Sequence, residues 1–176
     1  MDGAKTISMA TKYSITAYKC DKIFVEHLYK YAGYEDQDLP TLLKAVQQGD
    51  LAVESILENA IAKVGNLSRT MEDGMDFTDG SDAKKCTAMN QGGHRFYNKG
   101  TRISTKNKFG LLRIAVLDPD IEKMFYFKIP FEIYCGNNLI RIPFCAYGGK
   151  PYFRSNNYIG KSYWECQVKT FEELCS

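Results

Sequence analysis

Histidine is scarce in this sequence, and its cysteines never fall in the close pairs that hold zinc. There are two histidines, His27 and His94, and six cysteines (Cys20, Cys86, Cys135, Cys145, Cys166, Cys175), with no C-x-x-C among them. That pattern argues against a structural zinc framework, and such wide scatter does not suit a secreted disulfide scaffold. No apolar run is long enough to cross a bilayer. The N-terminus lacks a basic start leading into an apolar segment, so no signal peptide is read there. These absences point to a cytoplasmic protein with reduced, mostly packed thiols and no membrane partner. Internal repeats, low-complexity tracts and linkers are missing too, so residues 1–176 are expected to form one domain. At 44% hydrophobic residues the chain can bury a core of its own, which argues against disorder.

One further absence is local. Between Ala83 and Leu117 there is no acidic residue, although the stretch carries Lys84, Lys85, Arg95, Lys99, Arg102, Lys106, Lys108 and Arg113. The preceding stretch, Asp21 to Asp82, has thirteen acids against five bases. The net charge of +2 conceals this division. A one-sided basic block of that length is how a phosphate-binding surface shows itself in sequence. Its plain alternative is a solvated basic face.

The pattern of apolar residues places helices first and strands after. Residues 1–12 are polar and expected to be flexible. Residues 14–65 form the helical part. Phe24, Val25, Leu28, Tyr31 and Ala32 recur at helical spacing, with Asp21 as a possible cap, Gly33 as the stop, and Ile15 and Tyr18 as an upstream extension. Asp38-Leu39-Pro40 starts a second helix that ends near Gly49, and Asp50 is expected to cap a third that closes at Gly65. Glu54 and Glu58 lie one turn apart on that third helix and project from one face. Residues 70–176 form the sheet part. A hairpin is expected from about Met75 to Met89, turning at Asp79-Gly80. Further strands are expected at Thr101 to Ser104, Leu111 to Leu117, Lys123 to Ile129, Phe131 to Cys135, Leu139 to Phe144 and Ser162 to Lys169. A last helical turn begins at Thr170. Helices followed by strands imply an α+β fold, with a mixed, largely antiparallel sheet.

The chemistry concentrates in Gly74-Met75-Asp76-Phe77-Thr78-Asp79-Gly80-Ser81-Asp82-Ala83-Lys84. Side chains repeat every second residue in a strand, so Asp82 and Lys84 share one face. A second carboxylate across the hairpin would complete a seat for a hard divalent cation and a water beside it. Which acid that is depends on register: a two-residue loop puts Asp73 beside Asp82, and a three-residue loop with a bulge puts Asp76 there. Three other readings compete. A plain Asp-Gly turn with surface acids is one. A calcium loop is excluded, because Met75 and Phe77 occupy positions that need oxygen ligands. A His-dependent site pairing His94 with Asn98 lacks the further partners it would need.

A helix acid (Glu58 or Glu54), then Gly74-Met75-Asp76-Phe77, then Asp82-Ala83-Lys84, resembles the PD-(D/E)xK nuclease superfamily of restriction enzymes and related DNA nucleases. The resemblance covers about Asp50 to Thr87; the proline that usually precedes the first aspartate is absent. It implies a restriction-endonuclease-like core and Mg2+ held by Asp76, Asp82 and the main-chain carbonyl of Ala83. Asp76 is preferred to Asp73 through the Gly-x-Asp-apolar context. Lys84 would position the attacking water, and Glu58 would orient metal waters. The implied activity is magnesium-dependent hydrolysis of DNA by a sequence-specific endonuclease, with double-stranded DNA as partner, a homodimer as assembly and no small-molecule cofactor. The alternatives are a non-catalytic nucleic-acid-binding protein using the basic block, and a structure-specific resolvase or repair nuclease of the same superfamily.

Contacts to nucleic acid are expected from the basic block and the late loops. Lys85, Lys99, Arg102, Lys106 and Lys108 suit phosphates. Asn90, Gln91, His94 and Arg95, or Arg154, Ser155, Asn156 and Asn157, offer donors and acceptors for base edges, with an ordinary polar loop as the plain reading of each.

Overall fold

A computed structural model of the chain describes residues 3–34, 36–90, 98–145 and 160–176. No Pro or Gly interrupts the sequence from Ala4 to Ala32, and helix α1 runs unbroken over Gly3–Ala32. The segment expected to be flexible is therefore helical from residue 3. Helix α2, Leu39–Gln47, starts as its sequence dictates: the Asp38 side chain accepts from the Thr41 N–H at 2.8 Å, and Pro40 stands in the first turn. Helix α3, Val53–Gly65, is capped by Ala52 rather than Asp50 and ends on Asn66 in the left-handed region, so Gly65 lies inside it. Gly65 is small for another reason: a Cβ there would sit 2.2 Å from the carbonyl oxygen of Cys175.

Seven strands follow among the described residues: β1 (Asp82–Thr87), β2 (Met89–Asn90), β3 (Asn98–Ser104), β4 (Leu112–Asp118), β5 (Lys123–Ile129), β6 (Leu139–Cys145) and β7 (Gln167–Val168). They form two sheets, one ordered β1-β4-β5-β7 and the other β2-β3-β6. The first is mixed, since β1 runs parallel to β4 while the remaining pairs are antiparallel; the second is wholly antiparallel. The architecture is α+β, with helices at the N-terminal side of a mixed sheet.

Strand β4 is buried along its whole length, which a central strand covered on both faces requires. Ala115 and Leu117 point to the helices, where Phe24, Leu28, Ile56, Leu57 and Ile61 make the core with Phe171 and Leu174 of the last helix, α6 (Phe171–Cys175). Leu112, Ile114 and Val116 point the other way, onto Ile103, Ile140, Ile142 and Phe144 of the second sheet. The result is three layers: helices, mixed sheet, antiparallel sheet.

Three expected elements differ. The Met75–Met89 hairpin does not form: its first arm is reduced to a single bridge between Arg69 and Phe77, and β1 pairs with β4 instead. The Phe131–Cys135 strand is a helical turn, α4 (Phe131–Tyr134), that begins at Pro130, whose missing N–H ends the ladder. The first half of the expected Ser162–Lys169 strand lies in helix α5 (Gly160–Glu165), and only β7 is extended. Trp164 decides that segment by wedging edge-on against Phe125, Phe127 and Phe144.

Candidate active site

The Asp79-Gly80 turn forms, although the hairpin does not. Gly80 donates from its backbone to Phe77 O, and the N–H groups of Asp76 and Phe77 both reach Ser81 O. Asp79 accepts from the Ser81 N–H at 2.9 Å and from its hydroxyl, closing a side-chain turn. Arg113 of β4 anchors the turn from below, 3.2 Å from Asp79, and also donates to Ser81 Oγ and to the carbonyl of Leu174. Burial alone would raise the Asp79 pKa, but the Ser81 hydrogen bonds and Arg113 outweigh it and hold the carboxyl below its usual range.

This turn aims Asp76 at the open edge of β1. Asp82 donates its N–H to Leu111 O at 2.9 Å, on the side of β4. Backbone groups of successive strand residues point to opposite edges, so the N–H and C=O of Ala83 face outward. The Ala83 N–H donates to Asp76 Oδ2 at 2.8 Å. The Asp76 carboxylate and the Ala83 carbonyl therefore occupy the same edge of the sheet.

Asp82 is 1% exposed. Its Oδ1 accepts from Lys108 Nζ at 2.9 Å, and Lys84 Nζ lies 3.1 Å from its Oδ2. The Lys84 contact is an ion pair outside hydrogen-bonding geometry, and Oδ2 stays buried with no hydrogen bond. The Asp82 carboxyl lies close enough to that of Asp76 to shift its titration. Burial first, and the Asp82 carboxyl second, push the Asp76 pKa up; the Ala83 N–H and Lys84 offset this only in part. Glu58 of α3 completes the group. Its pKa is also raised, by burial and then by Asp76, although Arg69 pairs directly with its carboxylate.

Lys108 reaches Asp82 because two loops cross closely. The 73–81 loop and the 105–111 loop touch at two glycines. Gly74, with φ +85°, leaves no room for a Cβ beside Asn107 O, and a Cβ on Gly110 would sit 1.9 Å from Gly80 O. Tyr134 fastens the second loop by donating its hydroxyl to Gly110 O, and the burial and Asp82 charge around it raise its pKa.

Asp76, Asp82, Ala83, Lys84 and Glu58 are thus brought together. Asp73 is exposed at the far end of its loop. Glu54 turns to Lys85, leaving Glu58 as the helix acid at the site. Two of the expected phosphate contacts require correction. Lys99 is 3% exposed and held by Asp118 at 2.7 Å and by Asp120. Lys85 turns to the helical side, 2.8 Å from Asp21 and over the ring of Phe24. Lys108 belongs to the carboxylate cluster itself, a placement with no local signal beyond the neighbouring Gly110. Arg102 and Lys106 are exposed, and Asn90 lies in β2. Gln91, His94, Arg95, Arg154, Ser155, Asn156 and Asn157 lie outside the described residues. Arg69 and Tyr134 were not expected at the site; both arrive through contacts distant in sequence.

Among the described residues, no three His, Cys, Asp or Glu side chains converge to hold a metal ion by themselves. The available donors are two carboxylates and one carbonyl. That set fits magnesium, which keeps several waters and takes one or two carboxylates. The buried, unbonded Asp82 Oδ2 beside a second carboxyl is the atom a cation would satisfy. Among the described residues, no helix is long and apolar enough to cross a membrane. Comparison of the chain with protein-family models, with curated proteins and with solved structures yields no match.

Proposed function

We propose that this protein is a magnesium-dependent DNA endonuclease of the PD-(D/E)xK kind, cutting double-stranded DNA at specific sequences in the manner of a type II restriction enzyme. One observation carries the reading. A buried aspartate with an unbonded oxygen stands beside a second carboxyl whose pKa is raised, and a lysine two residues along the same strand faces them. Asp76 has no ion pair of its own among the described residues, and its raised pKa beside Asp82 marks a local demand for positive charge.

Asp76, Asp82 and the Ala83 carbonyl would hold the ion. When bound, magnesium would polarise a non-bridging phosphate oxygen and lower the pKa of an attached water. The Lys84 ammonium lies 3.1 Å from Asp82 Oδ2, so its part is to orient the attacking water and stabilise charge developing on the phosphate. Lys108, on the other oxygen of Asp82, fixes that carboxylate's direction. Glu58, with its raised pKa, is suited to hold a proton at the edge of the cluster. A homodimer would match the two-fold symmetry of a double-strand cut.

A second reading has its own observation. Lys84 and Lys108 both meet Asp82, and Arg69 meets Glu58, so the cluster carries its own counter-charges. On that reading the network is structural, and the protein binds nucleic acid without cleaving it. Plasmid DNA incubated with the protein, with magnesium or with a chelator, separates the two. Discrete fragments with magnesium only, lost in Lys84→Ala while DNA affinity persists, are the expected result. Intact plasmid under all conditions establishes the second reading, and cutting confined to branched DNA assigns a resolvase-like nuclease.

A further inference from the structure

The outer face of the second sheet carries a pair of arginines that no described residue neutralises. In the β3–β6 ladder Arg102 stands directly opposite Arg141. Both are exposed, while Thr101, Ile103, Ile140 and Ile142 beside them point inward and are buried. Strand alternation puts Met89, Gly100, Ser104, Leu139 and Pro143 on the outer face with the two arginines, and no carboxylate among the described residues. Neither guanidinium has an ion pair or hydrogen bond among the described residues. Every other described base of the 83–117 block except Lys106 has found a carboxylate.

Like charges directly opposed across a ladder are unfavourable for folding. Two planar guanidiniums side by side match the oxygens of a phosphodiester, which they can clasp with paired hydrogen bonds. Their neighbours leave them accessible, since Gly100 has no side chain and Ser104 a short one. The ladder also points at the candidate active site. Strand β3 runs straight into the loop bearing exposed Lys106 and then Lys108, whose ammonium touches Asp82. The Thr105 N–H donates to Asn138 O at 3.0 Å, tying that loop to the start of β6. A basic line therefore leads from Arg141 and Arg102 through Lys106 to the carboxylates.

We infer that the Arg102–Arg141 pair is a phosphate clamp for the backbone of a nucleic acid, holding the polymer across the outer face of the β2-β3-β6 sheet beside the candidate active site. The choice of DNA as the polymer rests on the proposed function; the clamp itself does not need cleavage.

Fluorescence anisotropy of a short labelled duplex, titrated in chelator so that nothing is cut, tests it with the full chain. In Arg102→Ala/Arg141→Ala, affinity is expected to fall about ten- to a hundredfold, and the log–log salt slope to shrink by about 2. Melting temperature should hold or rise, because the opposed charges are gone. Arg102→Lys/Arg141→Lys should recover part of the affinity and the whole slope. An unchanged affinity and slope in the alanine double variant overturns the clamp. So does competition by polyglutamate as effective as by unlabelled duplex, which would assign the surface to an acidic protein. Binding lost in the double variant, with wild type failing to cut DNA in magnesium, upholds the clamp and removes the endonuclease reading. Unchanged binding with magnesium-dependent cutting does the reverse.

Discussion

Asp82 and Asp118 sit at opposite ends of the β1–β4 pair, and both are 1% exposed with one carboxylate oxygen lacking a hydrogen bond. Their surroundings separate them. Asp118 is closed in: Lys99 comes to it at 2.7 Å and is itself buried, and the Asp120 N–H donates to the same carboxylate oxygen. Burial alone would lower the Lys99 pKa, but hydrogen bonds to Asp118 and Asp120 outweigh it and raise the value, as in a settled ion pair. Asp82 receives its lysines from the solvent side, with the Lys84 side chain 34% exposed, and it has a second carboxyl pressed against it. A buried charge therefore says little about function by itself. Access from solvent and a like-charged neighbour with no ion pair of its own are what make the Asp82 end the candidate site and set it apart from the closed pair at Asp118.

Breaking the structural end should have the largest effect. Lys99→Ala leaves Asp118 buried without its cation and is expected to cost about 3–5 kcal/mol of stability by chemical denaturation. On the proposed function, the folded fraction should cut DNA at the wild-type rate in magnesium. Asp76→Asn tests the other end, and its signature is opposite in kind. Cleavage should fall by about a thousandfold, roughly 4 kcal/mol in the barrier. Melting temperature should match or exceed wild type, because the folded protein already disfavours a charge at position 76. A stability loss as large as that of Lys99→Ala would erase the distinction between the two ends.

The smallest effect sharpens the comparison through pH. Asp76 and Glu58 have folded-state pKa values raised above their unfolded ones, so folding favours their protonated forms. The stability they contribute is complete below the ordinary carboxylate range and is lost as pH rises through the raised values. On the proposed function a divalent cation would replace those protons. Magnesium at tenfold over its pH 8 dissociation constant should therefore stabilise the fold by about 1.4 kcal/mol at about pH 8, and the same concentration should stabilise it by less at about pH 5, both read as shifts in melting temperature. Calorimetry of wild type and Asp76→Asn at both pH values checks this, and an equal magnesium response in the two proteins would place the ion elsewhere.

The charge block from Ala83 to Leu117 shows where sequence reading stops. Its composition suggests one phosphate-binding surface, yet Lys85, Lys99 and Arg113 turn inward to Asp21, Asp118 and Asp79. Lys84 and Lys108 meet Asp82, and of the described bases of this block only Arg102 and Lys106 face solvent unpaired. Arg141, outside the block, stands opposite Arg102 because of ladder register, which composition does not contain.

What the sequence by itself determined is what neighbouring residues decide through covalent geometry. Asp38 and Pro40 start α2, Asp79-Gly80 turns the chain, and a period of two puts Asp82 and Lys84 on one face. The α3 stripe and the runs that became β4 and β5 were legible for the same reason, since burial writes its period directly into the chain. Only the tertiary structure decided that β1 pairs parallel with β4, that Asp76 rather than Asp73 reaches Asp82, and that Glu58 rather than Glu54 stands beside them. Those outcomes rest on contacts between segments far apart in sequence, such as Lys108 reaching Asp82 where loops cross at Gly74 and Gly110. Such contacts are chosen by the packing of the whole core, and no local pattern of residues encodes them.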